Sequence, residues 1–168
     1  MTATKTALLQ GHMAHHSALP LRATLGSAML YHGITKLQPQ GLEQTSQVFE
    51  KLGIKPGRTW ALLTGWTEVA AGVLSLLGIG TRVAAVSVLV TQAVAIAKVH
   101  GPNGFDSQQG GYEYNLSLMA AALGLLLGGP GGLSVHEALQ PRKRARLTRL
   151  PWRHAVSPRR ELLTQLFA

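Results

Sequence analysis

Two long stretches of this sequence carry almost no charge, and this feature constrains the fold more than any other. Between residues 59 and 97 the only charged side chains are Glu68 and Arg82, and residues 114–135 contain none. A helix on the surface of a soluble protein needs a polar stripe that recurs every three or four residues. That stripe is missing here, so a soluble bundle with an unusually apolar interior is the less favoured alternative. The sequence predicts helices that lie in lipid.

Four segments approach the length that a bilayer requires, about 20 helical residues for a hydrocarbon core about 30 Å thick. They are residues 18–37, 59–79, 82–99 and 114–135. The first is the weakest, because its charged residues would also suit an amphipathic surface helix. We therefore predict an all-α fold, an integral-membrane four-helix bundle with a basic C-terminal tail. The predicted parts are a flexible N-terminal segment (1–17), a membrane domain (18–136) and a cytoplasmic tail (137–168).

The net charge of +9 belongs mainly to the end of the chain. Residues 1–140 carry a net charge of +2 and residues 141–168 carry +7. Basic residues close to membrane spans favour the cytoplasmic side. The sequence therefore predicts a multi-pass protein of a bacterial inner membrane with both termini in the cytoplasm, although basic residues in the loop 38–58 argue against this orientation.

The basic tail has several possible partners. A polybasic segment beside a span binds anionic lipid headgroups with about 1 kcal/mol per basic residue. An acidic soluble partner would fit the same charge, and so would a purely topological role. Nucleic acid ranks last, because no recognisable fold presents the charge to it. The residues expected to meet lipid are Arg142, Lys143, Arg144, Arg146 and Arg149.

The chain has no cysteine. Disulfides, thiol nucleophiles, quinone-linked disulfide exchange and Cys-ligated metal centres are therefore excluded. No haem, flavin or metal motif is visible, so we expect no intrinsic cofactor and no metal site. The histidines near the N-terminus, His12, His15 and His16, fit a solvated segment better than a metal site.

A four-span bundle brings separate polar residues to one membrane face. The end of span one, the start of span two, the end of span three and the start of span four share that face. Glu68 lies roughly 13 Å into its span at 1.5 Å per residue, where a carboxylate must be protonated or paired with His32 or Lys36. The other polar residues of this face are Lys98, His100, Tyr112, Glu113, Tyr114 and Asn115.

Several of these residues also have a simpler interpretation. His32 could be a buried structural histidine that bonds a neighbouring helix. Lys36, Lys98 and His100 could be interface anchors, and Tyr112 and Tyr114 could belong to the aromatic belt. Glu68 is different, because carboxylates within a span are rare without a function.

Four motifs stand out in this chain, LRATLGSAMLYHGITKL (21–37), GWTEVAAG (65–72), GIGTR (78–82) and HGPNGFDSQQGGYEYN (100–115). Together they resemble the DoxX family of small four-span membrane proteins. The resemblance covers residues 19–136. It implies a membrane-integral helical bundle that is similar to a subunit of a thiosulfate:quinone oxidoreductase. Some family members stand in membrane oxidoreductase complexes with a superoxide dismutase and a sulfurtransferase.

The leading functional hypothesis is a quinone-interacting subunit of a membrane oxidoreductase complex, with the quinone as substrate. His32 would donate to one quinone carbonyl and Tyr112 or Asn115 to the other, with Lys36 and His100 completing the binding site. Glu68 and Glu113 would relay protons, so His32, Glu68 and Glu113 are the candidate catalytic residues. The electron donor must come from a soluble redox or sulfur-transfer partner.

Two other functions stay open at this point. The protein could be a membrane anchor or assembly subunit without chemistry of its own, for which the basic tail is the supporting feature. It could also be a small-solute carrier, although four short spans leave little room for a path. Residues 41–53 resemble an interfacial helix above the polar face, and a packed connector fits them equally well.

Overall fold

The computed structural model describes residues 16–140, which are helical and contain no strand. This confirms the all-α prediction. The elements are α1 (Ala18–Leu37), α2 (Pro39–Lys51), α3 (Gly57–Leu77), α4 (Thr81–Ala95), α5 (Glu113–Gly128) and α6 (Val135–Leu139). The predicted flexible segment and the basic tail, including the residues expected to meet lipid, lie outside the described residues apart from positions 16, 17 and 137–140.

The four long helices, α1, α3, α4 and α5, pack around one hydrophobic core. Helix α1 contacts α3 and α5, and α4 contacts the same two neighbours. The core is lined by Leu25, Met29, Ala71, Ala84, Ala85, Val88, Leu118, Ala122 and Leu125. Alanine is common among these side chains, so the helices approach one another closely.

Two helices are long and apolar enough to cross a membrane, α3 and the continuous helix Thr81–Asn103 formed by α4 and the turns that follow it. Only 33% and 22% of their most apolar windows is buried inside the protein. The core helix of a soluble protein would be mostly buried, so this exposure favours lipid contact. Helix α5 is apolar but shorter, at 16 residues. The count of four spans stays a prediction.

Glycines set the close contact between α1 and α3. A Cβ atom at Gly33 would lie 2.7 Å from both the backbone oxygen of Gly65 and the backbone nitrogen of Val69. A Cβ atom at Gly72 would lie 2.8 Å from the backbone nitrogen of Leu30. Since any side chain at these positions would strike backbone, the two helices can touch only with glycine there.

A tight turn at residues 78–80 joins α3 to α4. Gly78 has φ of +69° and its N–H bonds to the carbonyl of Ser75, so it ends α3 in the left-handed conformation that suits glycine. The end of α3 lies beside the start of α1, where Gly26 packs against Gly72 and Leu76. The two helices therefore run antiparallel, and the end of α1 lies at the same end of the bundle as the first half of α3.

Arg22 fastens the end of the bundle that holds this turn. Its side chain is buried, with 2% of the residue exposed. Nε donates to the carbonyl of Ser75 at 3.0 Å, and Nη2 donates to that of Leu76 at 2.7 Å. Nη1 donates to the carbonyls of Pro130, Gly132 and Leu133 at 3.2–3.3 Å. One guanidinium thus joins α1 to the last turn of α3 and to the segment after α5.

Candidate functional site

A cavity of about 950 Å³ occupies the opposite end of the bundle, where α1 ends. Its walls come from α1, α2, α3, α4, α5 and the loop between α4 and α5. Ligand sites in proteins commonly measure about 300–1,000 Å³, so this cavity could hold a molecule of substantial size. The predicted convergence of polar residues at one end of the bundle is therefore present in the structure.

Most of the residues that the sequence analysis singled out line this cavity. They are His32, Lys36, Glu68, Lys98, His100, Tyr114 and Asn115. Tyr112 and Glu113 are not among the lining residues. The ring of Tyr112 packs edge-on against Phe105 at 5.7 Å between centroids. The Glu113 carboxylate accepts from the Ser107 hydroxyl at 3.2 Å, so both residues shape the loop above the cavity.

An ion pair between Lys36 and Glu68 forms the most polar part of the wall. The Lys36 ammonium donates to both carboxylate oxygens of Glu68, at 2.8 and 2.7 Å. The Glu68 side chain is 5% exposed and that of Lys36 is 27% exposed. Of the two expected states of Glu68, the paired one is observed, and Lys36 is its partner. The close contact of α1 with α3 at Gly33 brings these two side chains together.

His32 and Tyr114 connect α1 to α5. His32 Nε2 lies 3.3 Å from the Tyr114 hydroxyl, and the two ring centroids are 5.7 Å apart. His32 thus bonds a neighbouring helix, as its structural interpretation foresaw, and it also lines the cavity. Either group can turn a donor toward a guest, because an imidazole and a phenol each carry one exchangeable N–H or O–H.

Gln92 and Asn115 form a buried amide pair between α4 and α5. The Asn115 Nδ2 donates to the Gln92 Oε1 at 2.7 Å, and both residues are buried while lining the cavity. Sequence reasoning selected Asn115 but not Gln92. A sequence signal for Gln92 existed, since it is an amide side chain within an apolar helix, and such amides in membrane helices hydrogen-bond to neighbouring helices.

The loop after α4 is held by hydrogen bonds to one carbonyl. Helix α4 continues as a π-turn, Ile96–His100, a rare conformation that recurs at functional sites. His100 Nδ1 lies 2.8 Å from the carbonyl oxygen of Gly110, so that nitrogen must carry the proton that it donates. The side-chain amide of Asn103 donates to the same oxygen at 3.1 Å.

Helix α2 covers the cavity from the loop side. Its residues Gln44, Thr45, Val48 and Phe49 line the cavity, while Glu43 faces outward and bonds Gln47. The amphipathic helix expected at residues 41–53 therefore exists, at Pro39–Lys51, and it packs over the polar face. No cluster of His, Asp or Glu suited to a metal ion occurs within residues 16–140.

Together these features describe, over residues 16–140, a helical membrane protein with a large cavity that is polar at its inner wall. The chain matches the DoxX family over residues 17–101. Over 140 residues it is 33% identical to the uncharacterized membrane protein Rv3486 of Mycobacterium tuberculosis. The aligned region covers 77% of this chain and 85% of the relative. The chain therefore belongs to the DoxX family, as its motifs predicted. No solved structure matches it significantly.

The family match includes part of the cavity wall. His32, Lys36, Glu68 and His100 lie within residues 17–101, whereas Tyr114 and Asn115 lie beyond them. The Lys36–Glu68 pair is thus contained in the matched segment. The contribution of α5 to the cavity rests on the structure of this chain.

Proposed function

We propose that this protein binds a quinone in the cavity and serves as the quinone-interacting subunit of an oxidoreductase complex in the bacterial inner membrane. The observation that carries the proposal is the meeting of three polar pairs in one apolar cavity. They are Lys36 with Glu68, His32 with Tyr114, and Gln92 with Asn115. A quinone needs a largely apolar site with a few directed hydrogen bonds.

The three pairs could meet both carbonyl oxygens of a quinone. The imidazole of His32 or the hydroxyl of Tyr114 would donate to one oxygen from the α1–α5 side. The amides of Gln92 and Asn115 would donate to the other from the α4–α5 side. Tyr112, which the sequence analysis considered as a donor, packs against Phe105 outside the cavity lining. The donor on this side is therefore assigned to Asn115 with Gln92.

The Lys36–Glu68 pair would handle the protons. Reduction of a quinone to a quinol adds two electrons and two protons, with one new O–H bond at each oxygen. The electrons would come from a partner protein that carries a redox cofactor. The protons would pass from water through Lys36 and Glu68, whose bidentate contact allows one proton to move between nitrogen and oxygen. Glu113, on the loop above, would exchange protons with water.

Tryptophan fluorescence provides a direct test of binding. Trp60 lines the cavity, whereas Trp66, six residues further along the same helix, does not. We expect a quinone added to the purified protein in lipid nanodiscs to quench the emission of Trp60. Quenching should persist in Trp66→Phe and should be much weaker in Trp60→Phe. Equal quenching in both variants would contradict binding at this cavity.

Glu68→Gln tests the proton role separately from binding. The substitution removes the ionisable proton and keeps the size of the side chain. Positioned acids and bases contribute about 100- to 10,000-fold to rate, so quinone-linked turnover in host membranes should fall by about 100-fold or more. Quenching of Trp60 should remain. Glu43→Gln is the matched control, because Glu43 is an exposed glutamate of α2 outside the cavity lining.

A further inference from the structure

The cavity is bounded on one side by side chains that also face the outside of the bundle. Val86, Val90 and Val94 follow one another at four-residue spacing along α4, and all three line the cavity. They are nevertheless exposed, Val90 by 58%. On α3 the same holds for Leu63, which lines the cavity and is 54% exposed. A wall residue that is also exposed marks an opening, here between α3 and α4.

The position of this opening suits contact with lipid. Its margins are the apolar side chains of the two helices that are long enough to span a membrane. At the other end of the cavity the lining residues Gln44 and Val48 of α2 and Ser107 of the loop are also exposed, so the cavity meets the surface there too. The gap between α3 and α4 is the route bordered by valine and leucine side chains, which suits an apolar ligand.

The cavity also extends deeper than its polar wall. Val86 lies six residues before Gln92 on α4, which is about 9 Å further into the bundle at 1.5 Å per residue. From Val86 to Ala95 the lining of α4 covers about 14 Å by the same rise, and the π-turn extends it to His100. A single quinone ring bound at the polar pairs would leave the apolar part of this length without contact.

We infer that the cavity receives its ligand through the opening between α3 and α4, and that Val86, Val90 and Val94 hold a hydrocarbon tail attached to the quinone head. The substrate class is then a membrane quinone with a long hydrocarbon tail, rather than a water-soluble quinone. This inference rests on the proposed function. It assigns the three valines to tail recognition and the polar pairs to head recognition.

The test compares two quinones with the same head group, one with a long hydrocarbon tail and one without. Affinity is measured by Trp60 quenching in nanodiscs and is given as the ratio of variant to wild type, so that partition of the long-tailed compound into lipid cancels. Val90→Phe fills the opening with a larger side chain. The control is Val83→Phe, since Val83 is 66% exposed on the same helix and does not line the cavity.

We expect Val90→Phe to weaken binding of the long-tailed quinone at least tenfold and to change that of the tailless quinone less than twofold. Val83→Phe should change neither. The inference is overturned if Val90→Phe affects the two compounds equally or not at all, or if native mass spectrometry finds a phospholipid at the opening that the long-tailed quinone does not displace. If the wild-type protein binds neither quinone, the proposed function itself fails. That result is distinguishable from the outcomes that overturn only the inference about the opening and the tail.

Discussion

The ammonium nitrogen of Lys36 on α1 contacts both carboxylate oxygens of Glu68 on α3, at 2.8 and 2.7 Å. The two residues are 32 positions apart in the chain. Their contact neutralises the carboxylate deep in an otherwise apolar helix, and it also links the two helices at the cavity wall. The pair is therefore both a structural bond and a reactive group, and these two roles can be separated by substitution.

Lys36→Met should destabilise the protein more than the double variant in which the charges of both Lys36 and Glu68 are removed. The single substitution leaves Glu68 buried without its cation, which costs roughly 3–5 kcal/mol when one partner of a buried ion pair is lost. In the double variant, Lys36→Met with Glu68→Gln, neither charge remains at this site, so much of the lost unfolding free energy should be recovered. Thermal unfolding in detergent measures both variants.

Lys51→Met is the control for Lys36→Met, because Lys51 is an exposed lysine at the end of α2. Exposed substitutions of this kind usually change stability by about 0.5 kcal/mol or less. Equal stability of Lys36→Met and Lys51→Met would show that the ion pair contributes nothing to folding.

Arg22→Met should loosen the end of the bundle far from the cavity. The substitution removes the donors to five backbone carbonyls, in the last turn of α3 and in residues 130–133. Hydrogen bonds to charged groups contribute about 1.5–3 kcal/mol each, so we expect a loss of at least about 3 kcal/mol. Hydrogen exchange should accelerate first in residues 130–139.

Arg82→Met provides the comparison for Arg22, since Arg82 is exposed at the start of α4 near the same end of the bundle. Its exchange pattern should match that of wild type. If residues 130–139 exchange equally in both variants, Arg22 does not hold this segment.

Gly33→Ala should disturb the contact of α1 with α3. The added methyl group would lie 2.7 Å from the backbone of α3, which cannot move aside as a flexible side chain can. Overpacking of this kind costs typically 1–3 kcal/mol. Because the same contact positions Lys36 beside Glu68, quinone binding should weaken together with the melting temperature.

Gly128→Ala is the matched control, because a Cβ atom there would meet nothing within 4 Å. Its melting temperature should equal or slightly exceed that of wild type, since alanine favours helix. A melting temperature of Gly33→Ala equal to that of Gly128→Ala would contradict the close packing of α1 on α3.

Deletion of residues 141–168 separates the quinone hypothesis from the anchor hypothesis. This segment carries a net charge of +7, and each basic residue near an anionic membrane contributes about 1 kcal/mol of attraction. We expect the truncated protein to lose co-purifying partners while Trp60 quenching by quinone persists. Loss of quenching on truncation would show that the tail takes part in the quinone site.

The sequence predicted the helices and most of the residues at the cavity. The uncharged stretches indicate apolar helices by composition alone, and alternation of helix direction then brings the end of one helix to the start of the next. Helix α1 was the least certain from sequence because its polar residues fit a surface helix equally well. The structure shows Arg22, His32 and Lys36 bonded within the bundle, which explains their place in this helix.

Other features could not be predicted, because they depend on distances between helices. Gln92 was not selected, since its importance comes from Asn115, 23 residues away. On α5 the small residues Ala120, Gly124 and Gly128 stand at four-residue spacing, but a Cβ atom at Gly124 would lie 2.9 Å from the Leu21 side chain, whereas one at Gly128 would meet nothing within 4 Å. The backbones of α1 and α3, by contrast, approach each other closely at Gly33 and Gly65. A spacing of small residues permits contact, but only the packing of the other helices decides which spacing is used.

The sequence by itself determined that this chain forms apolar helices, belongs to the DoxX family and uses no thiol chemistry, because charge distribution, motifs and the lack of cysteine are local properties. Tertiary structure alone decided that Lys36 is the partner of Glu68, that Arg22 is a structural clamp, and that the cavity opens between α3 and α4. These depend on how the helices are rotated about their axes, which is fixed by glycine contacts and hydrogen bonds between residues far apart in the chain.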